Sequence, residues 1–549
     1  MANDPQFQQQ RYRLVLMILT VIVTFLIGVE LMGSWSQPKA QSQLNLYQSD
    51  LLLQASEWQP VVEEGGQTNP LPNPLLEADP MAAALKTYRQ VRSSVQADLE
   101  RMETAAANAS DDAVPLAQQQ NRSQFRDSLD LRIGILLAQS DQVEDAISAW
   151  SLPVRSQTTD QPQLATASVL VGLWSDPPQL LPNAQQLLQS QLSGWFRDQA
   201  LERLYSLSQR QADLTTLQIN QQVAASNALV RVVTINGLTL VGNGIGVMIL
   251  LVWLVQAWRQ RRPTKEPQTP APHPMQDFQS PPANQALEQT DQNPDPPTLD
   301  ESDVYLSQTG LAKSVLWPPT LIWQVMVLWF IAFFAVSLSI PLLIYVLGVK
   351  PTALGARPQA YLAFTNYALL VGVGLSILIW SLKGYLSSPF RWFRIRWRGS
   401  WFLWGISGYF VALPLVIIIA LLNQKILGDQ GGGNPLLELI IQSQDPVTAG
   451  LLFIMVAGLA PFFEEILFRG FFLTSLTRYL PMWGSIGLSG IVFAIAHLNL
   501  ADILPLTVLG CVLGVVYSRS RNLLSSMLLH SLWNSGSFLS LMILGSSAG

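Results

Sequence analysis

Charged residues and cysteines are scarce in this sequence of 549 residues. Asp, Glu, Lys and Arg make up only 13% of the chain and hydrophobic residues 49%, whereas a soluble protein carries about 25% charge. The single cysteine, Cys511, excludes an intrachain disulfide and a CxxC metal or redox motif. The composition therefore argues against a soluble redox protein, and the net charge of −5 gives no indication of nucleic-acid binding.

Long apolar runs are what the sequence has in abundance, and its mean hydropathy is +0.26. A run of about 20 apolar residues is long enough to cross a bilayer as a helix. We expect an all-α, polytopic membrane protein of about nine spans. The spans are predicted at 14–32, 232–258, 320–347, 361–382, 401–422, 448–475, 482–500, 503–518 and 522–544.

The first apolar run, within residues 1–36, follows Arg11 and Arg13. A cleaved signal peptide is the alternative, but the run is long for one and no small-x-small cleavage site follows it. We interpret it as an uncleaved signal-anchor with a cytoplasmic N-terminus.

Residues 37–228 are polar and rich in Gln and Leu, with few strand signals. They predict a mostly helical soluble domain outside the membrane, whose only expected role is to bind a partner protein. Helical spacing is clearest in Asp127–Leu137, Gln142–Trp150 and Phe196–Leu207.

The remaining chain divides into three parts. A second transmembrane helix is predicted within 229–262, followed by a cytoplasmic linker at 263–313. The linker has ten prolines between Pro263 and Pro297, and such a segment buries too little apolar surface to fold. Residues 314–549 predict a membrane domain of seven helices.

The basic clusters at the span ends all fall on one face when the spans alternate in direction. Cytoplasmic loops are enriched in Lys and Arg, so this pattern predicts a multi-pass protein of the cell (inner) membrane, with 37–228 outside. The residues of these clusters after the first run are Arg259, Arg261, Arg262, Lys265, Arg391, Arg394, Arg396, Arg398, Arg478, Arg519 and Arg521.

Three charges occur together inside the span predicted at 448–475. A charged residue at the bilayer centre costs roughly 2.5–3.5 kcal/mol on insertion scales, so Glu464, Glu465 and Arg469 must compensate one another or face water. At 100° per residue, Glu465 and Arg469 share a helix face as an i,i+4 pair. Glu464 lies about 140° from Arg469 on the same arithmetic. We expect Glu465 to pair with the arginine and Glu464 to face a cavity.

Two of the three histidines, His497 and His530, occur in later predicted spans, and Asn534 follows His530 by one turn. Each alone is more often a helix–helix hydrogen bond than a catalyst, and the pair of Glu465 with Arg469 is by itself often structural. Together within 71 residues of apolar helix, the six predict one polar site. We name Glu464, Glu465, Arg469, His497, His530 and Asn534 as candidate catalytic residues.

The chemistry of this set leaves two alternatives open. A buried carboxylate beside an imidazole can activate water for attack on an amide, with a second histidine and an asparagine donating to the oxyanion. Alternatively, Glu464, His497 and His530 are the ligands if a metal such as zinc is present. The HExxH spacing is absent, so no cofactor is expected, although zinc is not excluded.

Three motifs, EEILFRG, FAIAH and HSLWN, resemble the EExxxR, FxxxH and HxxxN motifs of the CPBP (CAAX-protease and bacteriocin-processing, or Abi) family of membrane proteins. The resemblance covers about residues 447–545. It implies a glutamate-dependent intramembrane endopeptidase in which Glu464 activates water with His497, and Glu465 with Arg469 supports the site. His530 and Asn534 would form the oxyanion hole.

The sequence thus favours a protease that cuts a membrane-associated protein or peptide, in a lipid bilayer. General peptide processing is expected rather than CAAX processing specifically, because a large outer domain suits substrates other than prenylated cytoplasmic tails. One alternative is a catalytically silent scaffold or chaperone that recruits partners through the outer domain. Another is a transporter, for which paired broken helices and inverted repeats are missing.

Overall fold

A computed structural model describes residues 5–35, 40–59, 79–108, 116–155, 161–260, 315–348, 355–386, 393–427, 439–440 and 445–545. The regular elements in these ranges are all helices, which confirms the predicted all-α class. The predicted linker at 263–313 and the GGGNP loop at 431–435 lie outside the described residues.

An N-terminal helical domain follows the first membrane helix α1 (Pro5–Trp35) and is built from helices α2–α8 and the beginning of α9. Its core buries aromatic and aliphatic side chains from every helix, including Tyr88, Trp150 and Phe196. The three helical stretches predicted in this region lie within α4, α5 and α8. The helices are α2 (Ala40–Ser56), α3 (Pro80–Asn108), α4 (Leu116–Gln139), α5 (Val143–Arg155), α6 (Gln161–Trp174), α7 (Ala184–Gln191) and α8 (Gly194–Leu207).

Helix α9 (Gln211–Gln260) is continuous over 50 residues, or about 75 Å at 1.5 Å per residue. It packs on α2 and α8 near its beginning and on a membrane helix near its end. The predicted boundary at 228/229 therefore lies inside one continuous helix, which connects the N-terminal helical domain to the predicted second span.

Eight helices among the described residues are long and apolar enough to cross a membrane, so the protein is polytopic. Besides α1 and α9 they are the six long helices of the C-terminal part. These are α10 (Pro319–Val346), α11 (Ala356–Leu382), α12 (Trp401–Leu427), α13 (Pro446–Leu476), α15 (Ile503–Ser520 with a preceding turn from Leu500) and α16 (Leu523–Gly545).

The remaining predicted span, 482–500, is shorter than expected. Helix α14 covers Met482–Ile495 only, about 21 Å at 1.5 Å per residue, against a hydrocarbon core of about 30 Å. It ends in a turn where Leu498 has φ 53°, a left-handed conformation that interrupts a helix. Hydropathy did not indicate the end of this helix at Ile495, because the turn that follows it also contains apolar residues, including Ala496 and Leu498.

The helix bundle has one arginine-rich end. There the carbonyl of Arg394 accepts from the backbone of Leu523, and Asn522 bonds the backbone of Arg396. Arg478 lies at the same end and donates to the carbonyl of Val315. These contacts gather the basic loops that the charge pattern assigns to one face.

The N-terminal domain lies at the opposite end of the bundle. Leu51 and Ala55 of α2 pack with Leu544 at the end of α16. The end of α1 also lies there, since Ser34 accepts from the backbone N–H of Leu500.

Candidate active site

Helix α13, which carries both glutamates, is not a regular α-helix. Its segments Ile454–Leu459 and Ile466–Leu473 are π-helical, and they flank the α-helical turn Ala460–Glu465. π-Helical turns inside membrane or soluble helices are rare and frequently mark functional sites. Each one alters which side chains share a face.

Pro461 explains why two backbone carbonyls of α13 are available to other groups. The N–H of Ala460 donates to Met455, five residues back, and so does not satisfy Val456. Proline has no N–H, so Pro461 cannot donate to Val456 or to Ala457. Both carbonyls need partners from outside the helix.

The last helix, α16, supplies those partners. Ser531 Oγ donates to the carbonyl of Ala457, and Asn534 Nδ2 donates to the carbonyl of Val456 at 2.9 Å. These bonds fix α16 against α13 and thereby set the position of His530, which precedes Ser531.

Glu465 and Arg469 form the predicted pair. Arg469 Nη1 donates to Glu465 Oε1 at 2.7 Å, and both side chains are fully buried. The guanidinium also donates to the carbonyl of Gly510 at 3.2 Å and lies 4.4 Å from the centroid of the Phe493 ring. A buried ion pair needs such additional contacts to offset its desolvation.

The carbonyl of Gly510 reaches Arg469 because α14 and α15 approach closely. A Cβ placed on Gly510 would lie 2.8 Å from Cα of Gly490, so both positions require the smallest residue. Small residues permit this kind of backbone contact between membrane helices.

His530 lies between the two glutamates. Its Nδ1 is 3.0 Å from Glu465 Oε1, and its Nε2 is 3.8 Å from Glu464 Oε2. With Glu465 ionised, the hydrogen-bond network assigns the proton to Nδ1. Nε2 then faces Glu464.

Glu464 points away from the arginine, as its helix position predicted. Its Oε1 accepts a hydrogen bond from the hydroxyl of Tyr367 at 2.9 Å, and the side chain is 16% exposed. Its Oε2 is shielded, with no hydrogen-bond partner among the described residues. The two adjacent carboxylates thus have different surroundings. Glu465 is buried and paired with Arg469, whereas Glu464 is hydrogen-bonded through Oε1 only.

His497 is exposed in the turn after α14. Its Nδ1 is 2.8 Å from the carbonyl of Phe493, which can only accept, so Nδ1 carries a proton and Nε2 is directed elsewhere. The Phe493 ring lies between the two histidines, with ring centroids 4.9 Å from His497 and 5.7 Å from His530.

The structure therefore brings Glu464, Glu465, Arg469 and His530 into direct contact, with Asn534 one turn along α16. His497 joins the group through Phe493, and among the described residues no hydrogen bond or ion pair connects it to Glu464. The roles predicted for His497 in water activation, and for His530 and Asn534 in the oxyanion hole, remain predictions.

Sequence reasoning missed Tyr367 on α11 and Ser531 on α16. The available signal for Tyr367 was a hydroxyl in the middle of an apolar span, which is a weak one. For Ser531 the signal was its position beside His530 in the HSLWN motif.

No group of three or more His, Cys, Asp or Glu side chains in the described ranges has an arrangement that could hold a metal ion. The metal ligands expected as the alternative, Glu464, His497 and His530, remain a prediction.

Residues 446–536 match the family model described as type II CAAX prenyl endopeptidase Rce1-like. The matched segment begins at the first residue of α13 and ends within α16, so it contains all six candidate residues. Neither a curated protein nor a solved structure matches the chain. Residues 446–536 are thus similar to the Rce1-like type II CAAX prenyl endopeptidases, which is consistent with the CPBP family that the three motifs resemble.

Proposed function

We propose that this protein is an intramembrane endopeptidase that hydrolyses a peptide bond in a membrane-associated protein or peptide, using water activated by Glu464. One observation carries the proposal: Glu464 Oε2, which has no hydrogen-bond partner among the described residues, faces His530 Nε2 at 3.8 Å. That separation is longer than a direct hydrogen bond, so Oε2 keeps its capacity to accept a proton.

In the proposed reaction, Glu464 accepts a proton from the water while the water oxygen attacks the carbonyl carbon of the scissile amide. The tetrahedral intermediate then collapses, the C–N bond breaks, and Glu464 returns the proton to the leaving amine nitrogen. The sum is addition of one water across one peptide bond, and no cofactor is needed.

The neighbouring residues have supporting roles in this proposal. Arg469 and Glu465 hold Nδ1 of His530, which fixes the direction of its Nε2. Asn534 carries two amide hydrogens, of which one is given to Val456, so the second is available to a developing oxyanion. The exposed Nε2 of His497 provides a further polar group for the substrate.

The substrate is proposed to be broader than prenylated CAAX tails. The family model covers 446–536 only, and the N-terminal helical domain lies outside it. Docked on the end of α16 through Leu544, that domain is placed to influence which chains reach the site. We further propose that the protein lies in the cell (inner) membrane with this domain outside.

The test compares membrane proteomes of cells that express wild type or Glu464→Gln. We expect a peptide or membrane protein to be cleaved only with wild type, and the purified full-length enzyme in lipid vesicles to cleave the same sequence. The matched control is Glu144→Gln, an exposed residue of α5. Undiminished cleavage by Glu464→Gln would refute glutamate catalysis.

A scaffold that recruits partners through the N-terminal domain is the second candidate. It is favoured by a cavity of about 260 Å³ between α2, α4 and α8, lined by Tyr47, Asp50, Phe125, Arg132 and Trp195 among others. A scaffold would keep its cellular function in Glu464→Gln and lose it when residues 37–228 are deleted. The protease hypothesis instead predicts that Glu464→Gln abolishes the cellular function.

A further inference from the structure

Helix α11 lies outside the segment that matches the endopeptidase family, yet one face of it follows the glutamate helix α13 along its length. Residues of this face recur at intervals of three or four, which is the spacing of a single helix face. They are Arg357, Ala360, Phe364, Tyr367, Val371, Gly374 and Leu378.

Polar contacts hold the two helices together at two levels. At the beginning of both helices, Arg357 Nε donates to Asp445 Oδ2 at 2.9 Å, and Asp445 caps α13 by accepting from the backbone of Thr448. Further along, the hydroxyl of Tyr367 donates to Glu464 Oε1 at 2.9 Å.

A close apolar contact lies between these helices one level further on. A Cβ built on Gly374 would lie 2.5 Å from the ring of Phe463, the residue before Glu464. Glycine at this position makes room for the ring of Phe463 against α11. Gly374 is two turns from Tyr367 on the same face, so the close approach brings the phenol within reach of the carboxylate.

We infer that Tyr367 is a positioning residue for Glu464, an inference that rests on the proposed function. A carboxylate has two oxygens, and binding one of them fixes the plane of the group. With Oε1 bound to Tyr367, Oε2 is directed at Nε2 of His530. In the proposed reaction that is the oxygen which takes the proton from water.

The inference predicts a separation of turnover from binding. Tyr367→Phe removes one oxygen atom and keeps the ring that packs against the membrane core. Because misplacement of a catalytic group by about 1 Å can cost roughly 100-fold, we expect kcat to fall by roughly 10- to 100-fold. KM should stay at the wild-type value because no substrate contact changes, and the melting temperature should fall only by the small amount that the loss of one hydrogen bond causes.

The experiment uses full-length protein in lipid vesicles and the substrate sequence identified by the Glu464→Gln comparison. Tyr361→Phe is the matched control, since Tyr361 lies on the same helix and is 51% exposed. A second pair of variants tests the close approach: Gly374→Ala should lower kcat, whereas Gly372→Ala, with nothing within 4 Å of its added Cβ, should not.

Two results would overturn the inference while leaving the proposed function intact. One is a Tyr367→Phe enzyme with the kcat of Tyr361→Phe. The other is a loss of kcat that comes with an equal rise in KM, or with a fall in melting temperature larger than the loss of one hydrogen bond causes, which indicates a structural role. If Glu464→Gln yields no difference in cleavage, the proposed function fails and this inference fails with it.

Discussion

His530 Nδ1 lies 3.0 Å from Oε1 of Glu465, the same oxygen that accepts from Arg469. This shared acceptor makes the arginine act on the histidine through a carboxylate, much as an acidic group orients an imidazole in other hydrolases. The other ring nitrogen of His530, Nε2, therefore faces Glu464.

Replacing the imidazole tests that arrangement. His530→Gln keeps a group able to donate to Glu465 but loses the ring nitrogen near Glu464. We expect the protein to fold and kcat to fall by about 100-fold or more, the usual scale for an acid–base group. Steady-state kinetics would measure it, with His273→Gln as the control because His273 lies in the predicted linker. Full turnover by His530→Gln would show that the histidine serves only to satisfy Glu465.

Removing the buried cation should destabilise the protein strongly. Arg469→Met leaves the fully buried carboxylate of Glu465 without its cation, a change that costs about 3–5 kcal/mol in buried pairs. Denaturant unfolding in detergent would measure the free energy of unfolding.

The double variant Glu465→Gln with Arg469→Met provides the matched comparison. It removes both charges and should be more stable than Arg469→Met alone. Equal stability of the single and double variants would contradict the pairing as the source of the effect.

Two side chains of α16 allow the oxyanion role of Asn534 to be separated from its structural role. Ser531→Ala and Asn534→Ala each remove one hydrogen bond to a carbonyl that Pro461 leaves without a donor, so each should cost about 1 kcal/mol of stability. Only Asn534→Ala should also lower kcat, by roughly 100-fold if it donates to an oxyanion. Equal kcat in the two variants would assign Asn534 a structural role alone.

The ion pair of Arg357 with Asp445 predicts a simple pH dependence. The guanidinium of Arg357 and the hydroxyl and amide of Thr448 hold the pKa of Asp445 well below its ordinary value. A lowered pKa in the folded state stabilises the protein above the unfolded pKa, about 3.9, and this stabilisation is lost as pH falls through the folded value. The difference in melting temperature between wild type and Asp445→Asn should therefore be constant from about pH 5 to 8.

The control for this pair is Asp213→Asn, which removes the exposed i,i+3 partner of Arg210 at the beginning of α9. Exposed pairs contribute little, so its melting temperature should stay near wild type. A difference for Asp445→Asn that changes steeply between pH 5 and 8 would show that another group titrates with it.

Topology can be measured with a membrane-impermeant maleimide in a Cys511→Ala background. Ser190→Cys, exposed on α7, should react in intact cells, and Ser400→Cys, exposed before α12, should react only after permeabilisation. The expectation follows from the basic residues near position 400 and the predicted cytoplasmic face. The reverse labelling pattern would show that the proposed membrane orientation is wrong.

The sequence predicted the membrane class and the helical character of residues 37–228, because apolar run length and helical spacing are local properties. It also predicted the pair of Glu465 with Arg469, since four residues of separation suffice for that contact. The predicted end of the span at 482–500 was wrong, because Leu498 adopts a left-handed conformation within an apolar run.

The contacts of Glu464 could not be predicted in the same way. Tyr367 precedes it by 97 residues, and His530 follows it on another helix. Such contacts depend on which helices pack together, and here that depends on glycines such as Gly374 and Gly510 whose neighbours hydropathy does not reveal.

The π-helical turns of α13 determine how the directions of its side chains would respond to the loss of one residue. A π-helical turn holds one residue more than an α-helical turn over the same rotation, so reversion of that turn to α-helix can absorb the deletion of one residue within Ile454–Leu459. Both glutamates would then keep their direction relative to Pro446–Phe453. A deletion in the α-helical part of α13 would instead rotate the side chains that follow it by about 100° relative to those before it.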